Sequence, residues 1–101
     1  MPQQDHNPEY TGRRAWLLSG YDQGRQWTRD YSSEHYAVPD LTAFLEYQTS
    51  RIEAEGLEES RFKRVFQQGL DAGYCDESDR YHGEWLALRD ASITMAVEED
   101  Q

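Results

Sequence analysis

Cysteine occurs once, at Cys75, so the chain can form no intrachain disulfide and builds no zinc cluster from thiolates. Lysine also occurs once, at Lys63, and the other nine bases are arginine. No apolar run is long enough to span a bilayer. Met1–Glu9 is polar and does not read as a signal peptide, so the expected compartment is the cytoplasm, bacterial or of a host cell during phage infection. Gly-x-Ser-x-Gly is missing, which removes the nucleophile elbow of a hydrolase. Gly20-Tyr21-Asp22-Gln23-Gly24 carries an acid where a phosphate-binding loop must admit a phosphate. Asp76-Glu77-Ser78-Asp79 lacks the glycine and distal glutamate of an EF-hand loop. Cys75 and His82 are two ligands, fewer than the three a catalytic zinc needs from protein. Cys75 has no activated-thiol context near His35 or His82. No catalytic, cofactor or metal-binding residues are expected.

What the chain does have is acid and aromatic surface. It carries 20 acids against 10 bases, a formal charge of −10. The excess is uneven, because 14 of the acids lie in residues 46–101. Such a charge repels nucleic acid and anionic membranes and attracts basic protein surfaces. Aromatics make up 13% of the 101 residues, enough to anchor one small core in a single domain.

The clearest pattern runs from Val38 to Tyr74. Pro39 ends an extended segment, and Asp40 supplies an N-cap carboxylate. Leu41, Phe44, Leu45 and Ile52 recur at helical spacing and predict a first helix near Leu41–Glu55. Gly56 suits a left-handed C-cap, with Leu57 folding back onto Ile52. Phe62, Val65, Phe66 and Leu70 predict a second helix, closed by Gly73. Phe44, Leu45, Phe62 and Phe66 form the expected shared core.

Around this helical hairpin (40–73) the expected architecture is α+β. Residues 1–11 read as an arm. Residues 12–31 read as a β-hairpin: Ala15–Ser19 is a short apolar run, Gly20–Gly24 has turn chemistry, and Arg25, Trp27, Arg29 and Tyr31 alternate. Residues 79–97 read as a helix from about Asp79 to Ala91, and then a strand or frayed helix where Ile93, Met95 and Val97 alternate. Residues 98–101 are a charged tail.

The functional expectation follows from the acids. Glu46 and Glu53 lie about 10 Å apart on one helical face. Glu55, Glu58 and Glu59 gather at the corner, and Asp76, Glu77, Asp79 and Glu84 follow. These residues, with Tyr21 and Trp27 as aromatic anchors, are the candidate contacts for a basic protein surface that normally holds phosphates. The class expected is a stoichiometric inhibitor from a phage or mobile element, of the anti-CRISPR or anti-restriction type. An immunity protein or antitoxin against a basic toxin is the alternative, and a small enzyme or metal-binding domain a further one.

Overall fold

The computed structural model describes the backbone of residues 8–99 and the side chains of residues 12–84. Its elements are three helices, α1 (Pro8–His35), α2 (Leu41–Ala54) and α3 (Lys63–Glu99). No strand occurs among the described residues. The α+β expectation is therefore corrected to an all-helical fold. The segment expected as a β-hairpin, 12–31, lies inside α1, and residues 92–97 continue α3 as helix.

The physical reason is a stripe of small residues misread as turn chemistry. Gly12, Gly20, Gly24, Thr28 and Ser32, interrupted by Trp16, recur at four-residue spacing, which places them along one ridge of a helix. Gly69 and Gly73 repeat the spacing on α3. Gly20 meets Gly69 and Gly24 meets Gly73 backbone to backbone, so α1 and α3 run parallel at an offset of 49 residues. A Cβ at any of these four glycines would overlap a backbone oxygen of the facing helix. Gly73 thus closes no helix but sits within the long α3.

Buried side chains continue the seam on both sides of the glycines. Thr28 is fully buried, and its hydroxyl donates to the Gly24 carbonyl at 2.7 Å. Phe66 and Leu70 are fully buried on α3, with Trp16 packed edge-on against Phe66 at 5.5 Å.

α2 returns antiparallel across one side of this pair. Asp40 caps it, accepting from the Ala43 N–H at 2.8 Å. Gly56, at φ +69°, ends it with paired hydrogen bonds. Gly56 N–H donates to Glu53 and Leu57 N–H to Ile52, the Schellman arrangement expected from the sequence. Phe44 stacks on Tyr74 at 4.2 Å, and Tyr47 stacks on Trp27 at 4.5 Å. The Tyr74 hydroxyl donates to the carbonyl of buried Pro39 and pins the α1–α2 corner to α3.

The expected core needs one correction. Phe44 and Phe66 are buried and Phe62 is half-buried, but Leu45 is 48% exposed and Leu41 is 62% exposed. α2 rests on α1 and α3 through the narrower stripe of Phe44, Gln48 and Ile52. Buried Gln48 donates to Asp71 and accepts from Gln67, so a polar residue occupies a position that apolar periodicity cannot assign to the core.

Candidate functional site: the outward face of α2

The buried stripe of α2 repeats every four residues, with Tyr47 and Arg51 reaching α1 beside it, which leaves the opposite positions toward solvent. Thr42, Leu45, Glu46, Thr49, Ser50 and Glu53 line an open groove of about 510 Å³ there. Leu45 gives this face its apolar centre, while Glu46 and Glu53 are exposed beside it. Glu58 and Glu59, also exposed, lie in the turn that follows α2. Four exposed acids singled out from sequence therefore sit on α2 or just beyond its C-terminal end. Glu55 differs: it is half-buried and paired with Arg51, whose Nε also donates to Gln23 of α1 at 2.8 Å.

The second acidic group has another arrangement. Residues 76–79, expected as a loop, are helical, so their four side chains point in different directions. Asp76 and Asp79 are exposed, and Glu77 is 1% exposed. The Glu77 Oε1 atom accepts from Arg25 and Arg29 of α1, each at 3.0 Å, and Arg80 lies 3.7 Å away. Burial alone would raise the Glu77 carboxyl, but the hydrogen bonds and charges of Arg29 and Arg25 hold it below the ordinary carboxylate range. Glu77 joins helices and offers no charge to a partner. Glu84 is exposed and paired with Arg80 at 3.3 Å.

The aromatic anchors are also engaged. Tyr21 donates to Asp76 at 2.6 Å, and that hydrogen bond pushes its hydroxyl up from the usual phenol value. Trp27 is half-buried, stacked between α1 and α2. On α2 and in the turn before it, the exposed large apolar residues are instead Leu41, Leu45 and Tyr36, the last 89% exposed at φ 53°. Sequence periodicity places Leu45 in the expected core and Leu41 on the same helical face. The signal that separates them is the four-residue spacing of Phe44, Gln48 and Ile52, which is legible once a buried glutamine is admitted.

Cys75 is exposed, and partial burial followed by the charges of Asp71, Asp79 and Asp76 pushes its thiol up. Such a thiol is a poor nucleophile at neutral pH. No group of three His, Cys, Asp or Glu among the described residues could hold a metal ion. Among the same residues, no helix is long and apolar enough to cross a membrane.

No protein-family model matches the chain, and no curated protein or solved structure matches it either.

Proposed function

We propose that the chain is a stoichiometric binding protein that docks the outward face of α2 on a basic protein surface. The observation that carries this reading is the exposure of Leu41 and Leu45 on a helix whose own core stripe is complete without them. Glu46 and Glu53 flank Leu45, and the Glu58–Glu59 turn extends the acid toward the start of α3. Apolar centre and charged rim are the usual anatomy of a protein interface. The leucines supply desolvated contact and hence residence time, while the acids steer association and select against other acidic surfaces.

The partner class is a nucleic-acid-binding protein whose basic groove ordinarily holds phosphates. Carboxylates about 10 Å apart along α2 satisfy arginines in such a groove. The protein would then act as an inhibitor in the cytoplasm of a bacterium or infected host, of the anti-CRISPR or anti-restriction type.

The test compares wild type with a Leu45→Asp variant and with a Glu46→Gln, Glu53→Gln variant as bait. Each should lose the partner at least about tenfold in Kd, with unfolding midpoints little changed because Leu45, Glu46 and Glu53 are exposed. Equal retention of one partner by all three baits would overturn the assignment of this face.

A further inference from the structure

A second groove lies on the side of the α1–α3 pair away from α2. Arg13, Arg14, Leu17, Leu18 and Val65 line it, over about 370 Å³. Leu18 is nine residues from Trp27, and Val65 is nine residues from Tyr74. Nine residues make about two and a half turns, so each lies half a turn round its helix from a residue that faces α2. Leu18 is 51% exposed and Leu17 38% exposed. Arg13 and Arg14 of the lining are exposed, a basic rim on a chain of net charge −10.

The same chain carries a segment of complementary chemistry. At the 49-residue offset His35 is level with Glu84, so residues 85–99 carry α3 about 22 Å past the end of α1. Their sequence is apolar on more than one helical face. Leu86, Ile93 and Val97 share one stripe with Asp90, and Trp85, Leu88 and Met95 fall on another. A helix apolar on several faces is stable in water only when covered. Its charges are mainly acidic: Asp90, Glu98 and Glu99 against Arg89.

We propose that the chain forms an antiparallel two-fold dimer in which residues 85–99 of each protomer fill the basic-rimmed groove between α1 and α3 of the other. The groove lies toward the N-terminal end of α3 and the segment at its C-terminal end. One two-fold axis across the middle of α3 brings both pairs together and closes the assembly. The arginines of the groove offset the net negative charge of the segment, and Leu17, Leu18 and Val65 give it an apolar floor. The α2 face stays free, so the dimer is independent of the proposed partner.

Sedimentation of the full chain at low salt, over a concentration series, should show a two-chain species. Three variants should sediment as single chains: Leu18→Asp; Arg13→Glu with Arg14→Glu; and Asp90→Arg with Glu98→Arg and Glu99→Arg. The two charge-reversed variants are repulsive alone but complementary to each other at both contacts. Mixed, they should restore the two-chain species, a result that misfolded variants cannot give. A single-chain wild type throughout the series, or a mixture that stays single-chain, would overturn the proposal.

Discussion

Glu77 concentrates the most electrostatic work of any single residue described. It is nearly inaccessible, yet Arg25 and Arg29 around it are each about two-fifths exposed, with side-chain exposures of 38% and 41%. Removing one member of a wholly buried pair costs about 3–5 kcal/mol, and the exposure of the arginines reduces this to about 2–3 kcal/mol for Glu77→Gln at neutral pH. Its carboxyl is lowered in the folded state, so the stabilisation is present in full above the unfolded value of about 4.3 and is lost as pH falls through the folded value. Denaturant midpoints of wild type and Glu77→Gln should accordingly be well separated at pH 7 and draw together in acid. A gap that persisted unchanged at low pH would mean that Glu77 acts through shape and not charge. Gly56 offers a second residue-scale test. A Cβ there meets nothing within 4 Å, but φ is +69°, so Gly56→Ala should cost about 1 kcal/mol through backbone strain alone.

At the scale of elements, α2 was legible from sequence and α1 was not. Pro39-Asp40 and Gly56 punctuate α2 with residues whose stereochemistry admits few alternatives. α1 holds glycines at 20 and 24, which propensity assigns to turns, and aromatics whose alternation at 27 and 31 imitates a strand. Four-residue spacing on both α1 and α3 was the available clue, since two helices that touch by their backbones need matched small residues. Burial of Glu77 was illegible for a related reason: its partners stand 48 and 52 residues away, on a segment read as a strand. The glycines can be separated by mutation. Gly69→Ala should cost about 2–3 kcal/mol, because its methyl group would overlap the Leu17 carbonyl and push the helices apart. Gly83→Ala, with open space around it on the same helix, should gain up to about 1 kcal/mol from helix propensity. Chemical denaturation of the two variants checks both signs, and a neutral Gly69→Ala would contradict the parallel contact.

For the molecule as a whole, the position of its bases matters more than the net charge. Arg25, Arg29 and Arg80 surround Glu77, and Arg51 binds Glu55 and Gln23. Arg13, Arg14, Arg61, Lys63 and Arg64 gather at the N-terminal ends of α1 and α3. Of these bases Lys63 shares a hollow with Glu53 and Glu58, while the groove on the outward face of α2 is lined by Glu46 and Glu53 and by no base. The elongated body, 72 × 34 × 16 Å, keeps the basic groove and the acidic face on different surfaces. The most direct measurement of the acidic face is the association rate of the captured partner with wild type and with Glu46→Gln, Glu53→Gln, at low and high salt. Steering by these acids requires fast wild-type association at low salt, a marked loss at high salt, and a variant that is slow at low salt. Association that is indifferent to salt and unchanged in the variant would show that α2 presents its charge to water alone.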